Sequence, residues 1–211
     1  MNEHEINYRS QKAFDKMKST KIAVCGVGAL GSNLVNNLVR QGFEKITIID
    51  MDRVEQKNIA TQVYGMKDVG QMKVNALKGL VYQINKKVLS VFDKELNDSN
   101  FKKVLDDHDL IVDVFDNWPS RKLTNQAGFL LRIPVVHAGM SDSGFAEIKW
   151  NDHYKIPEIE KEQKDICDYP LAANLVHITA SILAEVITQF AIHFEMNNKE
   201  ITLRDIRVHT T

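Results

Sequence analysis

The residues of this chain that point most directly to chemistry form a glycine-rich turn followed by an acid. The turn, from Gly26 to Gly31, has the pattern GxGxxG and directly follows a short apolar run typical of a buried parallel strand. Gly26 can adopt turn dihedrals that other residues avoid, Gly28 lets a phosphate approach the backbone, and Gly31 lets the next helix pack closely. That helix also offers its N-terminal N–H groups to the phosphate. Asp50 ends the next apolar run, where an acid accepts hydrogen bonds from ribose hydroxyls, so the segment predicts a nucleotide site. The alternative is a strand–helix–strand unit whose glycines serve packing alone.

A polar cluster directly beyond Asp50 extends this predicted site. Open α/β sheets bind ligands at the carboxyl ends of their strands, which is where the cluster falls. Lys73 lies in the first turns of a predicted helix near the expected phosphate, and Asn58 can hydrogen-bond a phosphate or a substrate carboxylate. Each of these residues taken alone is also typical of a solvated surface. The members of the cluster are Asp52, Asn58, Gln62 and Lys73.

A second cluster follows the apolar run at 110–112, again at the carboxyl end of a predicted strand. It contains Asp113, Asp116 and Asn117. A carboxylate beside a nucleotide's phosphates can hold Mg²⁺, which prefers oxygen ligands and keeps several waters. The alternative is helix capping, because Asp116 or Asn117 precedes a helix that begins near Pro119.

The elements that must position these residues alternate along the chain, which predicts an α/β fold. We expect a Rossmann-like, mainly parallel sheet with helices on both faces and some antiparallel strands near the C-terminus. The predicted strands are 21–25, 45–50, 88–93, 109–114, 133–138 and 145–150, with another possible at 200–207. The predicted helices are an N-terminal helical segment within 1–20, then 29–41, 70–85, 98–106, 119–131 and 172–195. The stretch 151–170 lacks periodicity and is predicted to be an exposed loop, and the whole chain, 1–211, is predicted to be a single domain.

Composition narrows the function classes. The chain has 211 residues with a formal charge of −1, which argues against a nucleic-acid surface built on bulk positive charge. The polar N-terminus and the interrupted apolar stretches predict no membrane span, and the presence of only two cysteines favours a reducing cytoplasm. The wide apolar stripe of the 172–195 helix indicates burial in the core or at a dimer interface.

Two further side chains are weaker candidates. Cys167 lies in a polar loop before a helix, a setting that lowers a thiol pKa, although an inert cysteine is the more typical case. His137 ends the 133–138 strand and is more typical of a hydrogen-bonded structural histidine than of a site residue.

Four segments taken together resemble the ThiF, MoeB and HesA family, the bacterial relatives of ubiquitin-activating enzymes. They are GVGALGS, IIDMDRVEQKNIATQ, DVGQMKVNAL and DVFDNWPSR, and their order and spacing match over about 130 residues. The resemblance implies an adenylyltransferase that binds MgATP and activates the C-terminal carboxylate of a small ubiquitin-like or sulfur-carrier protein, or of a peptide, releasing pyrophosphate. The expected partner is a carrier ending in Gly-Gly, and the expected assembly is a homodimer or heterodimer.

The resemblance also implies roles for particular residues. Gly26, Gly28 and Gly31 would line the phosphates, and Asp50 would hold the ribose. Lys73 and Asn58 would contact and position phosphates, while Asp116 would bind Mg²⁺ nearest the reacting centre. Cys167 lies roughly where many relatives carry a thioester or persulfide cysteine, whereas the zinc-binding CxxC pairs of many relatives are absent.

Two departures from the family pattern leave alternatives open. Thr61 and Ser10 stand where the family usually carries arginines for the outer phosphates, and loss of such an arginine can cost on the order of 10³-fold in rate. Arg9, Arg53, Lys57, Lys67 or a partner subunit could supply the charge. The second hypothesis is therefore a catalytically impaired nucleotide-binding subunit. The third is an NAD-dependent oxidoreductase, which the glycine pattern alone would suggest, although the chain shows no obvious acid–base pair for hydride transfer.

Overall fold

A single eight-stranded sheet organises the computed structural model, which describes residues 2–154 and 171–211. The strand order is β3-β2-β1-β4-β5-β6-β7-β8. The strands are β1 (Lys21–Cys25), β2 (Lys45–Ile49), β3 (Ser90–Phe92), β4 (Leu110–Asp113), β5 (Val135–Met140), β6 (Phe145–Trp150), β7 (Lys199–Thr202) and β8 (Arg207–Thr210). The α-helices are α1 (Glu3–Arg9), α2 (Gln11–Ser19), α3 (Ala29–Gln41), α4 (Lys73–Asn85), α5 (Phe101–Leu105), α6 (Trp118–Leu131) and α7 (Ala173–His193).

The strand pairing changes from parallel to antiparallel after β5. Strands β3, β2, β1, β4 and β5 are parallel, and β6, β7 and β8 continue the sheet in antiparallel pairs. The chain leaves β1 toward β2 on one side and later returns to add β4 on the other. A crevice between β1 and β4 follows from that reversal, and open α/β sheets bind ligands at such a point. The predicted fold class is confirmed.

Helices cover the sheet on both faces, as strands buried on both sides require. One apolar core lies between the sheet and α2, α3, α4 and α7, and the second lies between the sheet and α5 and α6. Cys25 belongs to the second core, and burial raises the pKa of its thiol. Alternating residues of β1 therefore serve the two cores in turn.

The helix α7 is apolar because it is a core helix. Its length and mean hydropathy of 1.7 match a membrane span, but 67% of that window is buried inside the protein. It packs along α3 and beneath β5 and β6, with Leu183 and Ile187 fully buried. Among the described residues it is the one helix with these properties.

Several predicted boundaries differ from the structure for local reasons. The predicted 200–207 strand is a hairpin, since residues 203–206 form a turn in which the Thr202 hydroxyl donates to the Asp205 carboxylate. The N-terminal segment is two helices, because Ser10 adopts φ +86° between them. Helix α4 begins at Lys73 rather than at 70, since Gly70 also has a positive φ.

The region predicted as a loop at 151–170 is described only in part. Residues Asn151–His153 form a short 3-10 helix, and Tyr154 is half-buried against β5. The remainder of that prediction, including Cys167, lies outside the described residues. Strand β5 runs two residues further than predicted, to Met140, because β6 pairs with it as far as Ala146.

Candidate nucleotide site

A cavity of about 700 Å³ opens at the carboxyl ends of the parallel strands. It extends from the glycine turn after β1 across the ends of β2 and β4 to the start of β6. Every polar residue of the two predicted clusters except Asp113 lines it. The predicted site residues that line it are Gly26, Gly28, Asp50, Asp52, Asn58, Gln62, Lys73, Asp116 and Asn117.

Each of the three glycines in the turn is required for a different physical reason. Gly26 has φ +95° and its N–H donates to the Ile49 carbonyl at 2.8 Å, so it makes the turn and ties it to β2. A Cβ on Gly31 would lie 1.9 Å from the Gly26 carbonyl oxygen, so this glycine lets α3 start against the turn. A Cβ on Gly28 would project into open space, with only Gln62 Nε2 within reach at 3.9 Å. Gly31 therefore lies outside the cavity lining and serves packing, whereas Gly28 keeps the backbone accessible from the cavity.

Asp50 fixes the turn from the neighbouring strand. Its Oδ2 accepts the Val27 N–H at 2.8 Å, and its Oδ1 accepts the Asp52 N–H at 2.8 Å. Burial raises the pKa of this carboxyl, and the charge of Lys73 opposes that shift. The carboxylate is thus held rigidly at the place predicted to meet a ribose.

Lys73 is a buried cation at the first residue of α4. Its Nζ donates to Asp52 Oδ2 at 2.8 Å, and its side chain is 10% exposed. Burial lowers the pKa of Lys73, but the carboxylates of Asp50 and Asp52 outweigh burial, so the net shift is upward. The ammonium group therefore stays charged over the working pH range and lies within electrostatic reach of Asp116.

The segment between Glu55 and Gln62 forms one wall of the cavity. Asn58 Oδ1 accepts the Glu55 N–H at 2.9 Å. This bond caps the N-terminus of the short helix Gln56–Ala60, so the Asn58 side chain has a structural role. Gln62 Oε1 is buried without a hydrogen-bond partner. A buried unpaired acceptor is costly, so this oxygen is suited to a donor supplied by a ligand or water.

Asp116 and Asn117 differ in the roles that the sequence suggested for both of them, which were helix capping and binding of Mg²⁺. Asn117 is the N-cap of α6, and its Oδ1 accepts the Ser120 N–H at 3.0 Å. Asp116 is exposed at the cavity, and its Oδ1 accepts a long hydrogen bond of 3.4 Å from Asn117 Nδ2. Capping therefore belongs to Asn117, and the Asp116 carboxylate is free for a ligand.

A buried acid and histidine lie beneath this loop. Asp113 Oδ2 is 2.8 Å from His137 Nδ1, and both side chains are fully buried. Asp113 Oδ1 accepts the Phe115 N–H at 3.1 Å, which fixes the loop that carries Asp116. His137 is a hydrogen-bonded structural residue, as its position predicted.

Sequence reasoning missed two residues at the far end of the cavity. Arg121 Nη1 donates to the Tyr154 hydroxyl at 3.0 Å, and its Nη2 donates to the Ala138 carbonyl at 3.0 Å. Arg121 belongs to the quoted segment DVFDNWPSR, and its place four residues after the N-cap Asn117 was the available signal. Tyr154 had no signal, because it lies in a stretch without periodicity.

The four cations expected to replace the missing arginines are not equivalent. Lys57 lines the cavity, and Arg9, Arg53 and Lys67 do not. Arg9 forms a two-pronged ion pair with Glu185 of α7, at 2.5 and 3.1 Å. Among the described residues, the cavity is lined by six acids and four bases, so its charge does not by itself favour an anion.

The fold and the cavity together define the class of protein. A mainly parallel sheet with a glycine turn, an acid on the adjacent strand and a cavity at the strand switch point is a Rossmann-like nucleotide-binding fold. The sequence profile of the ThiF family matches residues 4–209, and the chain belongs to that family.

Curated proteins with similar sequences are named as adenylyltransferases or activating enzymes. The sulfur carrier protein adenylyltransferase of Thermus thermophilus is 34% identical over 124 residues, which are 58% of this chain and 46% of that protein. The SAMP-activating enzyme E1 of Haloferax volcanii is 30% identical over 127 residues, 59% of this chain and 47% of that protein. The chain thus spans less than half the length of these relatives.

Solved structures agree on the fold. The structure of E. coli MccB with MccA-N7isoASN superposes with a TM-score of 0.83 at 18% identity and covers 100% of this chain and 72% of that chain. The structure of E. coli MccB with ATP gives a TM-score of 0.80 at 21% identity, with 99% and 69% covered.

Proposed function

We propose that this protein is an ATP-dependent adenylyltransferase that activates the C-terminal carboxylate of a small ubiquitin-like or sulfur-carrier protein. The observation that carries the proposal is the order of groups along one sheet edge: Asp50 after β2, the glycine turn after β1, and Asp116 after β4. Its relatives named as adenylyltransferases support the same reaction class. We place the reaction in the cytoplasm, on the strength of the cysteine content alone.

The residues present fit a nucleotide with a divalent cation. The open approach at Gly28 leaves room for a phosphate, and the unpaired Gln62 Oε1 can accept a hydrogen bond from a water bound to that phosphate or from a nucleotide hydroxyl. The described residues hold no cluster of three or more metal-ligating side chains. Mg²⁺ is commonly bound by one or two carboxylates together with substrate phosphates, so the exposed carboxylate of Asp116 fits that mode. When bound, Mg²⁺ would supply neutralisation of phosphate charge.

The reaction needs alignment and charge neutralisation more than proton transfer. A carboxylate oxygen of the carrier forms a bond to the α-phosphorus of ATP. The bond between that phosphorus and its bridging oxygen breaks, and pyrophosphate leaves with the electron pair. The carrier's carboxylate is already ionised at pH 7, so no base is required. In this scheme Lys73 contacts phosphate oxygens, Asn58 and Gln62 shape the wall beside them, and Asp50 orients the ribose.

Pyrophosphate–ATP exchange tests the proposal. Purified protein, MgATP, labelled pyrophosphate and carriers ending in Gly-Gly should give exchange that depends on the carrier, and carriers lacking the terminal Gly-Gly should not. Asp116→Asn keeps the side-chain shape and removes its charge, so exchange should fall on the order of 100-fold or more. Asp98→Asn removes an exposed carboxylate outside the cavity and serves as the matched control. Carrier-dependent exchange that survives in Asp116→Asn at the level of the control contradicts the mechanism.

A second candidate function rests on a specific observation. Thr61 lines the cavity where the family usually has an arginine, and Arg9, next to Ser10, is held by Glu185 away from the cavity. A nucleotide-binding subunit that needs a partner for turnover fits that arrangement. Calorimetry that shows MgATP binding without exchange, together with exchange gained in Thr61→Arg, would favour this function over the first. Tight NADH binding in place of MgATP would contradict both.

A further inference from the structure

The cavity continues past Asp116 into a part that the nucleotide groups do not use. We call it the β5–β6 compartment and define it by Arg121, Gly139, Phe145, Glu147 and Tyr154, all of which line the cavity. Gly139 and Glu147 are register partners on β5 and β6, so their side-chain positions share one face of the sheet. A Cβ on Gly139 would lie 3.6 Å from Arg121 Nη2, which places the guanidinium over that face.

The order of strands fixes where this compartment lies relative to the nucleotide groups. Along the sheet edge, Asp50 follows β2, the glycine turn follows β1, Asp116 follows β4, and the compartment begins at β5. Neighbouring strands are about 4.8 Å apart, so the compartment lies one strand beyond Asp116, on the side away from Asp50. A nucleotide whose ribose is at Asp50 and whose phosphates reach Asp116 leaves this compartment to the group that reacts with the α-phosphorus.

Arg121 is the cation of the compartment, and its hydrogen-bonded partners are neutral. Its two amino groups donate to the Tyr154 hydroxyl and to the Ala138 carbonyl, each at 3.0 Å. The nearest described carboxylate, Asp113, is 3.7 Å from Nη1 and is hydrogen-bonded to His137 at 2.8 Å. A guanidinium carries five N–H donors in a fork that matches a carboxylate, so Arg121 keeps donors for a ligand.

The guanidinium is held in place by a stack of one buried ring and one half-buried ring. The His137 ring lies against the Tyr154 ring with centroids 4.3 Å apart and an interplanar angle of 15°. Asp113 orients His137 and, through the Phe115 N–H, also fixes the loop that presents Asp116. One buried carboxylate therefore positions both Arg121 and Asp116, which are the two groups that the reaction must hold in register.

We propose that Arg121 binds the terminal carboxylate of the carrier or peptide substrate, and that Tyr154 is a positioning residue that aims the guanidinium. This inference rests on the proposed function and names the group that orients its acyl substrate. It requires a substrate with a free C-terminal carboxylate, because that is the group that matches the guanidinium fork of Arg121.

The test separates carboxylate binding from nucleotide binding. Arg121→Gln should raise the KM for the carrier in the exchange assay by about 10- to 100-fold, the usual cost of a lost charge-assisted pair, while the Kd for MgATP stays within about twofold. Arg121→Lys keeps the charge without the fork and should give a smaller increase in KM. Lys122→Gln is the matched control, since Lys122 is the next residue of α6, is exposed, and lies over the Trp118 ring at 4.8 Å. Thermal unfolding of each variant checks that the fold is retained.

A binding assay makes the test independent of turnover. A peptide of the carrier's last residues with a C-terminal carboxylate should bind the wild-type protein with MgAMP about tenfold more tightly than the same peptide with a C-terminal amide. Arg121→Gln should bind the two peptides equally. Tyr154→Phe keeps the ring stack and removes the hydroxyl, so it should reduce the preference for the carboxylate without abolishing it.

The possible results distinguish a failure of the role proposed for Arg121 from a failure of the proposed adenylyltransferase function. Weaker MgATP binding in Arg121→Gln with an unchanged carrier KM would make Arg121 a phosphate ligand and overturn the inference. Equal binding of the two peptides by the wild-type protein would overturn it as well. Absence of exchange with every carrier, in a wild-type protein that still prefers the carboxylate peptide, would count against the proposed function and leave the role of Arg121 standing.

Discussion

Two alanine substitutions in the glycine turn should separate folding from nucleotide binding. Gly28 and Gly31 are three residues apart, and the sequence pattern treats them alike. The structure gives them opposite surroundings, because a Cβ on Gly31 meets the Gly26 carbonyl oxygen at 1.9 Å and a Cβ on Gly28 meets only the Gln62 side chain at 3.9 Å. Gly28 has φ −75° and ψ −141°, and that ψ lies outside the regions that alanine adopts easily, so an alanine there meets backbone strain but no clash.

The expected magnitudes follow from these distances. Carbon and oxygen atoms that are not bonded do not approach closer than about 3 Å, so Gly31→Ala must move the start of α3 by about 1 Å or more. Overpacking of this kind typically costs about 1–3 kcal/mol, which lowers Tm by roughly 2–4 °C per kcal/mol in a chain of this size. Gly28→Ala should cost about 1 kcal/mol through backbone strain without any clash, and it should weaken MgATP binding at least tenfold, since its methyl group enters the space of the phosphates.

Thermal unfolding and calorimetry with MgATP measure the two effects side by side. Gly79→Ala is the control, because Gly79 lies in α4 and its Cβ would meet nothing within 4 Å. It should stabilise the protein by up to about 1 kcal/mol and leave MgATP binding unchanged. If Gly31→Ala unfolds at the wild-type temperature, or if Gly28→Ala binds MgATP normally, the packing argument for this turn is refuted.

Further predictions concern the cap of α6 and the anchor of the N-terminal helices. Asn117→Ala should lower stability by about 1 kcal/mol through loss of the N-cap, whereas Asn117→Asp should retain it; unchanged Tm in the alanine variant would contradict the capping role. For Glu185, burial raises the pKa, but the hydrogen bonds from Arg9 and Gln189 and the charge of Arg9 together outweigh burial, so the net shift is below the ordinary value of 4.5. A depressed carboxyl pKa stabilises the fold above the unfolded value and loses that contribution as pH falls through the folded value. The difference in unfolding free energy between wild type and Glu185→Gln should therefore be largest above pH 4.5 and should shrink below it in urea titrations; a difference that is constant with pH would show that the ion pair does not contribute.

Local patterns predicted most of the parallel half of the sheet. Strands β1 and β2 and helix α3 begin and end where the apolar runs and the glycine turn indicate, because each carries its own signal within a few residues. The positions of Asp50, Lys73 and Asp116 at one cavity also followed, since the carboxyl ends of parallel strands meet at one edge.

The remaining features depend on contacts between distant segments. The turn within 203–206 is anchored when the Leu203 N–H donates to the Gly144 carbonyl, so pairing with the β6 hairpin sets it and no local pattern could reveal it. Ser10 adopts a positive φ between α1 and α2, and the Arg9 side chain just before it pairs with Glu185, which is 176 residues away in the sequence. Arg121 gains its importance from Tyr154 and Ala138, which are 33 and 17 residues away in the sequence.

Nucleotide binding and catalytic turnover are separable in this site, because most of its cations already contact other groups of the protein. Lys73 is paired with Asp52, Lys57 lies 3.4 Å from Glu55, and Arg121 is held over the compartment beyond the expected phosphates. The glycine turn and the rigid Asp50 can hold a nucleotide without further positive charge, since backbone N–H groups and fixed hydrogen bonds do that work. Departure of pyrophosphate is different, because charge that develops on the leaving oxygens must be stabilised at the wall that carries Thr61, the position at which the family resemblance predicts an arginine. Addition of an arginine at Thr61 should therefore change the rate of exchange much more than the affinity for MgATP, and an equal change in both would show that the wall contributes to binding alone.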